Sequence, residues 1–246
     1  MVDHRFTITR WEIRMALNVV ILAAGMGTRL GRPHPKPLTT LADGRSILRQ
    51  QLDHITAAFP DAHISIVVGF KMEQIMEAAA GEAVFVYNEL FDQTNTSKSL
   101  LKAFRLAPEG GVLWFNGDVV FEPGLLPSLV RVIGDGGSFV CVNTEKVADE
   151  EVKYTLGADG FIDALSKQVT GGLGEAVGIN YVAPADRATV VRHLDLVEDT
   201  DYFEAGLEGA IAEGVRIRPV DISAFGVVEV DFAEDLTRAN EIETRG

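Results

Sequence analysis

Short apolar runs alternate along the first half of the chain with longer segments whose apolar residues recur every third or fourth position. The runs Val19–Leu22, His63–Val68, Ala83–Tyr87 and Gly111–Phe115 read as buried strands. Between them, Ser46 is placed to cap a helix through about Phe59, with Ile47, Leu48, Leu52 and Ile55 on one face. Lys71–Ala80 and Thr96–Ala107 carry the same helical spacing. Strands alternating with helices imply right-handed crossovers and a mainly parallel α/β sheet flanked by helices, a Rossmann-like layout. In such sheets ligands bind beyond the carboxyl ends of the strands. That rule gathers the glycine segment after Leu22, Asn88, and the turn Asn116-Gly117-Asp118 on one edge.

The texture changes near Phe139. Glu151–Leu156 and Phe161–Ser166 flank Gly157-Ala158-Asp159-Gly160, which predicts a hairpin. Ala176–Val182 reads as a further strand, followed by helices near 184–196 and 201–213. Val215–Asp221 and Phe225–Val230 read as short strands, and Phe232 to about Glu243 as a last helix. Neither linker nor repeat interrupts the pattern, so residues 15–246 are expected to form one domain behind an extension of residues 1–14, to which no function is assigned. The second half is expected as a β-rich lobe on the same sheet.

Composition narrows the classes. A chain of 246 residues with 47% hydrophobic residues can bury a sizeable core. No apolar run reaches the length of a membrane span and no signal-peptide pattern precedes the first strand, so a cytoplasmic protein without a membrane partner is expected. A single cysteine, Cys141, suits a reducing compartment, and its apolar surroundings make it an inert core thiol. The net charge of −14 argues against a nucleic-acid partner. Against that charge, residues 13–42 hold Arg14, Arg29, Arg32 and Lys36 with no acid, where composition alone would put about four. The window reads as a local reserve for an anionic ligand.

Inside it lies Leu22-Ala23-Ala24-Gly25-Met26-Gly27-Thr28-Arg29, then Pro33, Pro35, Lys36 and Pro37. Gly25 and Gly27 let backbone amides crowd a phosphate, and Arg29 and Lys36 bring charge to it. The prolines fix φ and exclude the helix that a dinucleotide fingerprint needs directly after its glycines. A Walker A triplet is also absent. A glycine loop with fixed cations after a buried strand is a polyphosphate grip.

The pattern L-A-A-G-x-G-T-R with a following P-K-P-L resembles the signature of the sugar-phosphate nucleotidyltransferase superfamily, most of all its small bacterial phosphocholine-cytidylyltransferase-type branch. The resemblance implies the nucleotidyltransferase fold and a Mg²⁺-dependent transfer from a nucleoside triphosphate, CTP foremost, to a small phosphorylated alcohol, phosphonate or sugar phosphate, with release of pyrophosphate. It divides the domain into a nucleotide-binding part at about 15–138, an acceptor lobe at 139–231 and a C-terminal helix at 232–246. A homodimer is compatible with it.

By the same resemblance, Arg29 and Lys36 bind and activate the triphosphate, and Asp118 and Asp231 hold the metal. Asn88, Asn95, Thr96 and Ser99 read the base, with Asn116 and Gly117 alongside. Lys153, Lys167, Glu175 and Gly178 meet the acceptor, and Tyr202 starts a helix that could close over it. Each residue also has an ordinary reading. Asn95 or Thr96 could cap a helix, Asp231 could be an N-cap, Lys153 a surface lysine, and Glu229 could face away from the site. Lys98 stands where similar sequences often carry an aromatic. Choline-specific relatives tend to carry a Trp near Glu151 and Val152, and no Trp occurs between Phe139 and Val215, which leans the acceptor away from a quaternary ammonium. A UTP-dependent sugar-1-phosphate enzyme and an inactive nucleotide-sensing module of the same fold remain the alternatives.

Overall fold

The computed structural model describes residues 17–27, 31–145 and 151–243. Thr28 and Arg29 lie outside the described residues, as does the extension 1–14. The first strand, β1 (Leu17–Ala23), is buried along its whole length. It is flanked by β2 (His63–Val68) and β4 (Gly111–Asn116), both parallel to it, and β3 (Val84–Tyr87) extends the sheet beyond β2. Apolar side chains on both faces explain the continuous runs: a parallel sheet is covered by helices on each side.

Helices α1 (Ile47–Ala58), α2 (Met72–Ala78) and α3 (Thr96–Leu106) are the crossovers. The Ser46 hydroxyl accepts the Arg49 amide and caps α1. Two elements lie between the strand at Phe115 and the change of texture at Phe139 that the hydrophobic pattern did not mark. They are a short strand β5 (Val119–Phe121) and a helix α4 (Leu125–Gly134), which buries Leu125, Leu126, Leu129 and Ile133. The pattern was obscured because an Asn-Gly-Asp turn and a Glu-Pro-Gly turn flank a strand of only three residues.

The second half continues the same sheet, through β9 (Glu175–Val182). It pairs antiparallel with β4 on one side and with β6 (Ser138–Asn143) on the other. The hairpin β7 (Lys153–Leu156) and β8 (Ile162–Ser166) branches from the start of β9, and β10 (Ile217–Asp221) runs parallel beyond β6. Helices α5 (Arg187–Leu196) and α6 (Phe203–Ala212) pack together and against β8 and α3. A separate two-stranded ribbon joins β5 to β11 (Val227–Glu229), and α7 (Ala233–Glu243) follows it. Cys141 is wholly buried, and burial pushes its thiol far above the ordinary range, in keeping with an inert core residue. Among the described residues no helix is long and apolar enough to cross a membrane.

Candidate active site

The carboxyl ends of β1, β2, β3 and β4 share one edge because the strands are parallel. Backbone bonds weld the connecting loops there: Phe70 N donates to Ala24 O at 3.0 Å, Asn88 N to Val68 O at 2.9 Å, and Gly117 N to Leu22 O at 2.9 Å. Gly117 has to be glycine, since a Cβ would stand 2.6 Å from the Leu22 carbonyl oxygen and 2.9 Å from Pro37. The turn is also held from below. Gln51, buried on the apolar face of α1, donates to Asn116 O at 2.9 Å and Val119 O at 2.8 Å.

Beyond β1, Gly25 and Met26 are exposed, and Gly27 lies over the stem of Lys36. The prolines allow only a single 3-10 turn, Lys36–Leu38, anchored by buried Pro35 and Pro37. That turn aims Lys36 inward. Its ammonium donates to Asp118 Oδ2 at 2.7 Å and to Asp231 Oδ1. Side-chain exposures of 11, 17 and 23% for Lys36, Asp118 and Asp231 show a largely desolvated triad. Burial opposes the Lys36 charge, but the two carboxylates outweigh it and raise its pKa.

Asp118 and Asp231 lie far apart in sequence and meet through the ribbon. Val119 is in register with Glu229, and Val230 N donates to Asp118 O at 2.9 Å. At the start of the last helix Asp235 reaches back, accepting the Asp231 amide at 3.0 Å and the Phe232 amide at 2.7 Å, while the Asp231 carboxylate accepts from Lys36. Glu229 corrects the expectation that it faces away. It lies beside the triad, where Asn116 Nδ2 donates to its Oε1 at 3.4 Å, and burial together with Asp118, Glu151 and Asp231 drives its pKa well up. Strand alternation misled here because β11 pairs with β5 in a ribbon outside the main sheet, so the faces of that sheet do not set its orientation.

The base-reading candidates form one connected structure. Buried Asn88 donates to Thr94 Oγ1 and Ser99 Oγ, each at 3.0 Å, and its oxygen accepts the Leu90 amide. Asn95 caps α3 and donates to Thr200 O, while Thr96 Oγ1 accepts the Phe203 amide. Lys98 turns away to cap the end of α5, donating to the carbonyls of Leu194, Asp195 and Val197. These contacts tie the loop after β3 to the start of α6.

Among the acceptor candidates, Lys153 corrects the surface reading: it is buried, with its stem packed on Gly172. Lys153 pairs in register with Glu175. Lys167 falls one residue beyond β8, where its ammonium stands 5.0 Å over the Tyr202 ring. Gly178 has a φ of +69°, and a Cβ there would lie 2.7 Å from Asn116 Nδ2, so β9 touches the metal-candidate turn directly. Gly178→Ala should therefore cost about 1–3 kcal/mol and displace Asn116. An unchanged denaturation midpoint would show that β9 yields freely. The sequence missed Gln51 and the inward Glu229. Gln51 had a visible signal, a polar residue on the stripe of Leu48, Leu52 and Ile55.

Residues 19–177 match the MobA-like NTP transferase domain, nearly two thirds of the chain. The chain belongs to the MobA-like NTP transferase domain family. Among curated relatives of this NTP transferase chain is the CMP-5'-(3-aminopropyl)phosphonate synthase of Streptomyces rubellomurinus, 39% identical over 120 residues, which are 46% of this chain and 19% of that protein. The bifunctional protein GlmU of Francisella philomiragia is 33% identical over 122 residues, 49% of this chain and 26% of that protein. The NTP transferase chain thus matches about a fifth to a quarter of the length of these relatives. Its fold is similar to that of the CTP:phosphocholine cytidylyltransferase of Streptococcus pneumoniae, with a TM-score of 0.75 over 93% of this chain and 99% of that one at 18% identity. The inositol-1-phosphate CTP transferase of T. maritima gives 0.72 over 92% and 96% at 14% identity.

Proposed function

We propose that the chain transfers a cytidylyl group from CTP to a small phosphorylated alcohol, phosphonate or sugar phosphate, releasing pyrophosphate. One observation carries this reading: a largely desolvated lysine fixed between two carboxylates beside a glycine loop, at the ligand-binding edge of a parallel sheet. Residues 15–138 supply the nucleotide side, 139–231 the acceptor side and 232–246 the C-terminal part.

An oxygen of the acceptor's phosphoryl group attacks the α-phosphorus, and the bond from that phosphorus to the bridging oxygen breaks as pyrophosphate leaves. The acceptor oxygen is already anionic, so no protein base is needed. What the chain must supply is positioning and fixed positive charge. Gly25 and Gly27 offer backbone amides to the triphosphate, with Arg29 and Lys36 as its cations. Asn88, Asn95, Thr96 and Ser99 shape the base site, while Lys153, Lys167 and Glu175 line the acceptor site.

The carboxylates suit Mg²⁺. Asp118 Oδ1 is buried and has no hydrogen-bond partner among the described residues, the state of an oxygen reserved for a further ligand. Asp118 and Asp231 would hold the ion, a hard cation that takes one or two protein carboxylates beside phosphate oxygens. When bound it neutralises charge on the phosphates. With both carboxylates committed to the ion, the Lys36 ammonium would be left to bind the triphosphate. Outer-shell changes alone cost about 10–100-fold in metal affinity, so Asp118→Asn and Asp231→Asn should each raise the Mg²⁺ requirement by at least as much. An unchanged metal titration for Asp231→Asn would reduce that residue to a partner of Lys36.

The reading is tested by a pyrophosphate-release screen crossing the four common ribonucleoside triphosphates with phosphocholine, polyol phosphates, aminoalkylphosphonates and sugar 1-phosphates. Turnover with CTP is expected. Preference for UTP with a sugar 1-phosphate would replace the cytidylyl reading, and no release in any pairing would end it.

A further inference from the structure

The acceptor side holds a carboxyl group that the transfer chemistry leaves unused. Glu204 is the second residue of α6 and only 8% exposed. Its own backbone amide meets the carboxylate, but Oε2 is buried with no hydrogen-bond partner among the described residues. Such atoms are rare, because a polar group buried without a partner gives up its hydrogen bonds to water and gains none in return. Glu204 is therefore shaped for a group that arrives with the ligand.

Its neighbours indicate the charge of that group. Glu151 and Glu208 add to the negative potential, and Lys167 alone among the described residues opposes them. Lys167 is itself drawn over the Tyr202 ring, and Glu208 Oε1 is taken by the Leu165 amide at 2.9 Å. Burial first, then the two acids, push the Glu204 pKa up to about 7. A cation placed against Oε2 would satisfy the orphaned atom and offset the excess of acids.

The position also connects to the reacting edge. Glu151 lies within electrostatic reach of both Glu204 and Glu229, and Glu229 reaches Asn116 beside Asp118. Acidic side chains thus couple Glu204 electrostatically to the edge that carries Asp118. A quaternary ammonium has no N–H to give Oε2, whereas a primary ammonium has three.

We infer that Glu204 seats a terminal primary ammonium of the acceptor, which makes the acceptor an aminoalkyl phosphonate or aminoalkyl phosphomonoester; this rests on the nucleotidyl-transfer reading above. Glu204 then selects among acceptors and leaves nucleotide binding untouched.

The test compares CTP-dependent turnover of aminoethylphosphonate and aminopropylphosphonate with hydroxyethylphosphonate, hydroxypropylphosphonate and phosphocholine. The amino acceptors should lead in kcat/KM by about 10–100-fold, the range of a hydrogen bond to a charged group. Glu204→Gln should remove that lead through the acceptor KM while the KM for CTP stays as it was. Glu204→Asp keeps the charge but withdraws it by one methylene, and should move the optimum toward the longer aminoalkyl chain. Equal wild-type turnover of amino and hydroxy acceptors overturns the seat and leaves nucleotidyl transfer standing. A folded Glu204→Gln protein that keeps the preference, or a Glu204→Asp protein with an unmoved optimum, also overturns it. No pyrophosphate release with any triphosphate or acceptor removes the transfer reading and the seat together.

Discussion

Lys36→Ala should lower turnover by two to three orders of magnitude, about 3–4 kcal/mol in the transition state, as loss of a preorganised charge donor does. The sequence alone suggests an exposed lysine in a proline-braced loop. The structure shows an inward lysine with 11% side-chain exposure, bonded to two carboxylates. The substitution therefore has a second consequence. Asp118 and Asp231 would face each other without their shared cation, and a buried charge stripped of its partner is costly. The variant should melt below the wild type in the absence of metal and recover most of that loss when Mg²⁺ is added, while activity stays low. Near-normal rates in the folded variant would remove Lys36 from the chemistry. Metal-independent melting equal to wild type would show that the triad carries no strain of its own.

Trp114→Ala should cost about 3–5 kcal/mol of stability, the range for emptying a large aromatic site. Trp114 sits on β4 with no exposed surface, edge-on to Phe104 of α3 at 5.8 Å and to Phe203 of α6 at 5.5 Å. With the Asn180 amide turned so that its oxygen faces the indole, Trp114 Nε1 also donates to it at 3.3 Å. Removing the ring breaks the packing that joins the nucleotide half to the helix beginning at Tyr202, Phe203 and Glu204. A fall in midpoint of about 2–4 °C per kcal/mol is expected for a chain of this size. Acceptor KM should rise more than the KM for CTP, because Phe203 neighbours Tyr202 and Glu204, which are proposed to meet the acceptor. Trp114→Phe should lose less stability, since it keeps most of the apolar volume. A Trp114→Ala protein as stable as wild type would mean that α3 and α6 are held by other contacts.

Local chemistry made much of this molecule readable in its sequence. The strands His63–Val68 and Gly111–Asn116 and the helix capped by Ser46 were legible because burial on both faces, 3.6-residue spacing and a capping hydroxyl are all properties of short segments. Parallel topology then placed the glycine segment, Asn88 and the Asn116–Asp118 turn on one edge without any contact being known. Lys36 stood out through the glycine and proline motif around it, and Asp118 and Asp231 through the family resemblance that motif carries.

Tertiary structure alone decided what those groups touch. The register of β11 on β5 brings Asp231 to Asp118, and Asp235 accepts the Asp231 and Phe232 amides at the start of the last helix. The same ribbon turns Glu229 inward, and the packing of β7 against Gly172 buries Lys153. The orphaned oxygen of Glu204 is invisible in sequence for the same reason. Whether a polar atom has a partner depends on segments that are distant along the chain, and no local pattern encodes their approach.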